Sequence, residues 1–289
     1  MKTITIFLLI WNLSHSIFPQ TISRFIIFSE PYSLNEIDSV LANIRDLDSI
    51  QINSNISELP ENIRKYKNLN TLIITSKKLK QLPNWLSEFK FLKNLYISNS
   101  FDLSYKNIHS VLSSLHCLEK LTLYNLDLDS IPIGIIKSNN IIELDIRKNN
   151  ILSLPRDLYN DKNIEVLLLD YNKIENDREF FNILGTLSNI RYLSIIHNSI
   201  DTVYAKLLLL KNLEYLNLSE NIMINELPLE FSELSNLRVL LLDKTGIKFL
   251  PKSITKLTKL VFLSIRDTPI TENEILYIKK YLPKCAFFY

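Results

Sequence analysis

Apolar residues recur along this chain in a fixed frame, in which one apolar position is followed by two others at offsets of three and five residues. Ten such frames begin 22 to 26 residues apart, at Leu47, Leu69, Leu92, Leu118, Ile141, Ile164, Ile190, Leu213, Leu237 and Leu260. The last two apolar positions of a frame have the period of two that is typical of a short strand with one buried face. A single unit cannot bury its apolar side, so the units must stack in register as coils of one elongated domain.

The residues beyond each strand are repeated as well. The fifth and ninth frames show this clearly, and read Ile141, Leu144, Ile146, Asn149, Ile151, Leu154, Pro155 and Leu237, Leu240, Leu242, Thr245, Ile247, Leu250, Pro251. A Leu-Pro pair also recurs, at 59/60, 82/83, 154/155, 227/228 and 250/251. This pattern resembles the leucine-rich repeat, in the form of about 23 residues that is common in bacteria. The resemblance covers residues 47–270, about ten repeats. It implies an α/β fold: a curved, right-handed solenoid with a parallel β-sheet on its concave face and short helices or irregular turns on its convex face.

Position 9 of the frame, counted from the first apolar residue, is asparagine in four consecutive coils: Asn149, Asn172, Asn198 and Asn221. In the family that this chain resembles, that side chain turns inward and bonds backbone groups of adjacent coils. The matching places in flanking coils hold Lys77, Ser100, Leu126, Thr245 and Thr268. The two 26-residue coils carry extra residues around 104–109 and 176–181, which we expect on the convex side or the rim.

The two ends of the chain do not follow the frame. Residues 1–20 have the layout of a secretory signal peptide, with Lys2 before a short apolar run; an N-terminal strand is the alternative. Residues 21–46 then form an N-terminal cap, in which Ser33 and Glu36 make a capping box that begins a short helix. Residues 271–289 form a C-terminal cap, with a helix after Thr271 and either a last strand or a partner-contacting tail at 287–289.

Composition excludes several classes of function. Of 289 residues, 33 are Lys or Arg and 31 are Asp or Glu, and a formal net charge of +2 does not favour nucleic acid as a partner. Three scattered glycines make no phosphate-binding loop, and no metal-ligand motif or cofactor motif is present. Cys117 and Cys285 lie about seven coils, roughly 30 Å, apart, so they cannot form a disulfide, and we expect both thiols to be buried.

Side chains that point away from the core along the strands define a candidate binding surface. The resemblance places them on the concave face, where aromatic residues and arginine are concentrated. The candidate residues are Tyr96, Tyr124, Asp145, Arg147, Leu168, Asp170, Tyr171, Tyr192, Ile196, His197 and Tyr215. Tyrosine and arginine are typical of protein-binding hot spots. The alternative is that these tyrosines only stack along neighbouring coils, without any ligand.

Catalysis has little support, because His197 has no serine or cysteine nucleophile in a recognised setting. The sequence therefore predicts a secreted or cell-envelope, non-catalytic module that binds another protein or peptide and has no integral membrane span in the mature chain. One alternative is a cytoplasmic scaffold or regulator of the Ras-suppressor type. Another is the recognition half of an effector enzyme such as a ubiquitin ligase, although about 20 residues after the last frame cannot house a catalytic domain. The sequence predicts neither the partner's identity nor the oligomeric state.

Overall fold

A computed structural model of the chain describes residues 25–29, 32–138, 140–159, 161–175 and 178–289. In these ranges twelve strands form one parallel sheet, and each strand pairs with its neighbours in chain order. The predicted signal peptide and residues 21–24, 30 and 31 of the predicted cap lie outside the described residues. The strands are β1 Phe25–Ser29, β2 Ser49–Asn53, β3 Thr71–Thr75, β4 Asn94–Ser98, β5 Lys120–Tyr124, β6 Glu143–Asp145, β7 Val166–Leu168, β8 Tyr192–Ser194, β9 Tyr215–Asn217, β10 Val239–Leu241, β11 Phe262–Ser264 and β12 Ala286–Phe288.

Helices occupy the segments that return the chain from one strand to the next. The α-helices are α1 Leu34–Asn43, α2 Tyr105–Leu112, α3 Arg178–Leu184 and α4 Glu272–Tyr281. Short 3-10 helices span Glu61–Lys65, Asn84–Glu88, Ile133–Ser138, Arg156–Leu158, Ala205–Leu209, Phe231–Glu233 and Lys252–Lys256. Five of the 3-10 helices begin directly after a proline, whose fixed φ suits a helix start. Of the predicted extra residues, 105–109 and 178–181 lie in α2 and α3, which are α-helices rather than 3-10 turns, and 176–177 lie outside the described residues.

The core is one continuous row of apolar side chains between the sheet and the helices. Leu144 and Ile146, at positions 4 and 6 of the fifth frame, are fully buried, and the equivalent residues of the other frames are at most 2% exposed. They belong to a single cluster that runs from Phe28 to Leu282. The predicted solenoid with a parallel sheet is therefore confirmed.

The turn after each strand has the same backbone shape in most coils. At position 8, eight successive coils hold a residue with positive φ: Asn99, Asn125, Lys148, Tyr171, His197, Glu220, Lys244 and Asp267. This left-handed conformation costs a non-glycine residue roughly 1 to 2 kcal/mol, so the surrounding contacts must hold it in place. It turns the backbone so that the side chain at position 8 points outward and the side chain at position 9 points into the solenoid.

The inward asparagines satisfy the backbone of these turns. Asn149 accepts hydrogen bonds at Oδ1 from the backbone N–H groups of Leu126 (3.0 Å) and Leu128 (3.2 Å), and its Nδ2 donates to the carbonyls of Leu123 (2.8 Å) and Ile146 (2.9 Å). The other three asparagines bond in the same way to their own coil and to adjacent coils. Each asparagine therefore supplies partners to groups that would otherwise be buried without one.

The first two frames depart from this arrangement. Their position 8 has no positive φ, and the side chains that turn inward are Ser54 and Ser76, each 1% exposed, rather than residues at position 9. Ser76 Oγ donates to the Ile56 carbonyl at 2.8 Å, whereas Lys77 is exposed. In these coils the inward side chain therefore lies one residue before the place that matches the asparagine, because the coils turn without a left-handed residue.

Both ends of the core are covered by the segments outside the frames. The side chain of Ser33 accepts from Glu36 N and the Glu36 carboxylate accepts from Ser33 N, so the predicted capping box at the start of α1 is confirmed. Strand β1 adds to the sheet before the first frame, and β12 adds after the last one. Phe287 packs against the core, so the last residues form a strand rather than a free tail.

The cysteines differ from the expectation that both are buried. Cys117 is exposed and Cys285 is of intermediate burial. Cys117 directly precedes position 1 of its frame, where other coils carry an asparagine on the rim that donates to the preceding coil, as Asn212 does to the Ser188 carbonyl at 3.0 Å. A side chain at this position points out of the core, and this explains the exposure of Cys117.

The two thiols should differ in reactivity. Burial raises the pKa of the Cys285 thiol from 9.0 to about 11, and only the thiolate is nucleophilic. We expect iodoacetamide near pH 8 to alkylate Cys117 readily and Cys285 far more slowly, since two pKa units leave roughly 100-fold less thiolate. Peptide mass spectrometry of briefly labelled native protein measures both rates, and the urea-unfolded chain is the control in which they should converge. Equal rates in the folded protein would contradict the placement of Cys285.

Candidate functional site

The concave face consists of the strand side chains that point away from the core, together with the outward residues at position 8. Register places equivalent residues side by side, so that positions 3, 5, 7 and 8 form columns across the coils. Position 5, for example, places Tyr96, Thr122, Asp145, Leu168 and Ser194 on successive strands. Neighbouring strands are about 4.8 Å apart, so side chains in one column contact each other directly.

Three carboxylates lie at the floor of the central part of this face. Glu143, Asp145 and Asp170 are 8%, 4% and 5% exposed. Buried carboxylates require hydrogen bonds or ion pairs, and each of these has them. Lys120 Nζ lies 2.8 Å from the Glu143 carboxylate, and Arg147 binds Asp145 with two hydrogen bonds of 2.8 and 2.7 Å.

Asp170 is held differently from the other two carboxylates. Its Oδ1 accepts from the backbone N–H of Ile196 at 2.9 Å, and it also bonds the Ser194 side chain. Burial raises the pKa of Asp170, and the bonds from Ser194 and Ile196 together with the nearby Arg147 guanidinium offset only part of that effect. The hydrogen bond to Asp145 raises the pKa of Arg147. The floor is therefore a compact, ordered arrangement of charges rather than a solvated surface.

Two pairs of stacked aromatic rings lie at this part of the face. The rings of Tyr192 and Tyr215 stack with centroids 3.8 Å apart and an interplanar angle of 6°. The rings of Tyr171 and His197 stack with centroids 5.0 Å apart and an angle of 28°. Tyr171 and His197 are position 8 residues, so the left-handed turn is what directs their rings outward. His197 Nδ1 also lies 3.2 Å from the Glu220 carboxylate.

The remaining tyrosines lie toward the N-terminal side of these stacks. The Tyr124 ring has the Arg147 guanidinium 5.8 Å and Lys148 Nζ 5.3 Å from its centroid. Tyr96 lies two strands from Asp145, and burial followed by the charges of Glu143 and Asp145 raises the pKa of its phenol to about 12. Burial likewise raises the pKa of Tyr192, with the Tyr215 side chain as the second cause. The phenols of Tyr96 and Tyr192 are therefore neutral near pH 7.

The structure places all eleven predicted residues on this face, but not at equal depth. Leu168, Asp145 and Asp170 are at most 5% exposed and form its floor. Tyr171 and His197 are exposed, and the partly buried residues are Tyr96, Tyr124, Arg147, Tyr192, Ile196 and Tyr215. We call Tyr171, Tyr192, His197 and Tyr215, with Arg147 and the floor beneath them, the central patch.

Sequence reasoning missed several residues of this face. Glu143 was overlooked although it occupies position 3, the column of Tyr192 and Tyr215. Lys120, its ion-pair partner, precedes it in the same column. Comparing every coil at position 3, rather than only the aromatic ones, would have found both. Lys148 was also missed; it occupies position 8 next to Tyr171.

Metal, membrane and catalytic roles receive no positive support from the described residues. In the described ranges no group of three or more His, Cys, Asp or Glu side chains is arranged to hold a metal ion. None of the helices in those ranges is both long and apolar enough to cross a bilayer. His197 contacts an acid and an aromatic ring, as described above, rather than a nucleophile.

Known proteins resemble this chain mainly in fold. No protein-family model matches it. The leucine-rich repeat protein LIC12759 of Leptospira interrogans is 27% identical, with a TM-score of 0.56 over 88% of this chain and 74% of that chain. A chain of the octameric complex of Latrophilin 3, Unc5D and the leucine-rich repeat part of FLRT2 is 20% identical, with a TM-score of 0.61 over 83% of this chain and 74% of that one.

The match to a longer protein covers a smaller part of both chains. Protein PAC2 of Saccharomyces cerevisiae is 36% identical over 138 residues, which is 45% of this chain and 26% of PAC2. The chain spans still smaller shares, 7% and 14%, of two other curated relatives. The sequential parallel sheet, the repeated apolar frame and the structural neighbours together make this chain a leucine-rich repeat protein.

Proposed function

We propose that this chain is a non-catalytic module that binds another protein or peptide through the central patch of its concave face. The observation that carries the proposal is the pair of aromatic stacks, Tyr171 with His197 and Tyr192 with Tyr215, at the charged floor. Tyrosine offers a large, rigid contact area with a polar tip and is enriched in the residues that dominate binding energy. Rings that already stack on each other lose little side-chain freedom when a partner arrives.

The floor contributes specificity rather than area. Asp145 and Asp170 are too deeply buried to offer much contact surface, but their fixed charges shape the electrostatic potential around the rings. Ile196 lies in the coil that follows the turn of Asp170 and Tyr171, and it adds a partly exposed apolar side chain. A partner with complementary charge and an apolar segment would fit this arrangement. The octameric complex of the leucine-rich repeat part of FLRT2 with Latrophilin 3 and Unc5D supports protein as the partner class.

The alternative is that the aromatic stacks only stabilise the sheet. Cross-strand aromatic pairs contribute about 0.5 to 1.5 kcal/mol to stability without any ligand. The two possibilities differ in what removal of the rings does. Removing a purely structural pair would lower stability slightly and leave recognition of every partner intact.

Replacing both Tyr171 and Tyr192 with alanine tests the proposal. Affinity capture with the chain, followed by mass spectrometry, identifies a partner, and calorimetry with the purified partner measures the dissociation constant. We expect the double variant to bind at least about 30-fold more weakly, because hot-spot residues contribute about 2 kcal/mol or more. The matched control replaces Tyr159 and Tyr281, which are 54% and 50% exposed outside the concave face, and should bind normally. A folded Tyr171/Tyr192 variant with unaltered affinity would exclude this patch.

Localisation belongs to the same proposal. A signal peptide at residues 1–20 would direct the protein to the cell envelope or the outside of the cell, where concave-face binding would act on an external partner. Mass spectrometry of the N-terminus of the native protein tests this. A mature chain that starts near residue 20 agrees with export, whereas an intact Met1 would favour the cytoplasmic scaffold instead.

A further inference from the structure

A cavity lies at the rim formed by the position 8 turns, next to the central patch, with which it shares Tyr171. Its volume is about 320 Å³, within the range of roughly 300 to 1,000 Å³ that is usual for small-ligand pockets. Four successive coils contribute its lining residues, which are Phe101, Asn125, Asp127, Lys148, Asn149, Asn150 and Tyr171. Because neighbouring coils are about 4.8 Å apart, its two aromatic walls are separated by roughly 14 Å of backbone.

The cavity coincides with an irregular coil. In the coil that opens at Leu118, both Asn125 and Asp127 have positive φ, on either side of the buried Leu126. On one side the preceding 26-residue coil presents Phe101, which is 49% exposed. On the other side Tyr171 is 40% exposed. Two open aromatic surfaces thus flank a short stretch of polar turn.

The polar groups between these rings are only partly used. Asn125 Nδ2 donates to Asn99 Oδ1 at 2.6 Å, and Asn150 Nδ2 donates to Asp127 Oδ1. Among the described residues no hydrogen bond reaches the side-chain oxygens of Asn125 and Asn150 or the second carboxylate oxygen of Asp127. Lys148, whose amine also bonds the Tyr124 side chain, supplies a cationic group with further donor hydrogens at the same place. The cavity therefore offers three acceptor oxygens and one amine donor.

A second cavity, of about 360 Å³, lies at the opposite rim and shows the contrast. There Arg191 forms an ion pair of 2.6 Å with Glu214, and the amides of Asn189, Asn212 and Asn236 donate to backbone carbonyls of preceding coils. Its side-chain donors are thus already bonded, and its described lining includes no aromatic side chain. Of these two cavities, the first combines unused acceptors with ring surfaces.

We propose that the Phe101–Tyr171 cavity binds a saccharide of one or two rings. Each sugar hydroxyl both donates and accepts, which matches a site with acceptor oxygens beside one amine. The apolar C–H face of a pyranose packs on an exposed aromatic ring, as ligand sites with aromatic walls and few polar groups allow. The charge of Lys148 disfavours a cationic ligand, and the carboxylate of Asp127 with two amide oxygens disfavours an anion. This site goes beyond the proposed protein-binding function and does not depend on it.

Saturation-transfer NMR on the full chain tests this inference, with maltose, cellobiose, lactose and N,N′-diacetylchitobiose as probes. For at least one sugar we expect saturable transfer with a dissociation constant on the order of 1 mM, the range for a small ligand in an open site. Phe101→Ala should weaken that binding about tenfold, since it removes one aromatic wall. Asn150→Ala should also weaken it, by removing an acceptor.

Two variants serve as controls, because one residue lies outside the cavity and another lies outside the central patch. Phe249→Ala changes a side chain that is 66% exposed and does not line the cavity, so it should leave sugar binding unchanged. Phe101 is outside the central patch, so its replacement should not affect protein binding through that patch. Absence of saturable transfer from the folded wild-type chain to any of the four sugars would overturn the inference, as would equal affinity in the Phe101→Ala variant.

Discussion

Replacing Asn221 with alanine is expected to lower the free energy of unfolding by about 3 to 5 kcal/mol. Asn221 is fully buried, and its Nδ2 donates to the carbonyls of Ile195 (2.7 Å) and Leu218 (2.8 Å) while its Oδ1 accepts from Asn198 N (3.0 Å). Alanine leaves these three backbone groups inside the solenoid without that partner, and each orphaned buried group costs about 1 to 3 kcal/mol. Equilibrium urea unfolding followed by circular dichroism measures the loss.

Asn212→Ala is the matched control for this prediction. Asn212 is exposed and its side chain makes one hydrogen bond, to the Ser188 carbonyl at 3.0 Å. Its replacement should cost less than about 1 kcal/mol, because water can take over an exposed carbonyl. If both variants lost the same small amount of stability, the interior asparagines would not have the role that their hydrogen bonds indicate.

Replacing Phe181 with alanine should have a similarly large effect, a loss of about 3 to 5 kcal/mol in the free energy of unfolding. Phe181 lies on α3 and is fully buried. Its ring packs edge to face on Phe180 with centroids 5.2 Å apart, and it contacts the ring of Tyr204 at 5.3 Å. Alanine would leave a cavity beneath the helix that the rigid neighbouring coils cannot fill. The same urea titration reports this change.

Phe249→Ala separates burial from the mere loss of an aromatic ring. The Phe249 side chain is 66% exposed, so its removal should change stability by no more than about 0.5 kcal/mol. A loss at Phe181 no larger than the loss at Phe249 would mean that α3 is not packed as described.

The fold could be predicted from the sequence because its main determinant is periodic. Leu144 and Ile146 alternate with an outward residue in the fifth frame, and the same spacing recurs in every coil, so burial of these positions follows from the pattern. The turn in the second coil could not be predicted in this way. Whether Ser76 or Lys77 points inward depends on whether the preceding backbone adopts positive φ, and apolar spacing carries no information about that.

The candidate site was predictable as a set of columns but not as a surface. Register follows from the repeat, so Tyr192 and Tyr215 had to be neighbours, and their rings do stack. Depth depends on how the side chains of adjacent coils cover one another, so the burial of Leu168 and Asp170 could not be inferred from the frame. The cavity beside Phe101 depends on turns from four coils, and no single repeat signals it.

The left-handed turns separate two tasks that most protein surfaces combine. At position 9, which points inward, asparagine, serine or threonine maintains the architecture in most coils. At position 8, which points outward, the residue is asparagine, lysine, tyrosine, histidine, glutamate or aspartate. Such variety at identical backbone geometry means that the backbone tolerates exchange of this side chain. A lineage could therefore acquire a new binding specificity by single substitutions along this column, with the scaffold unchanged.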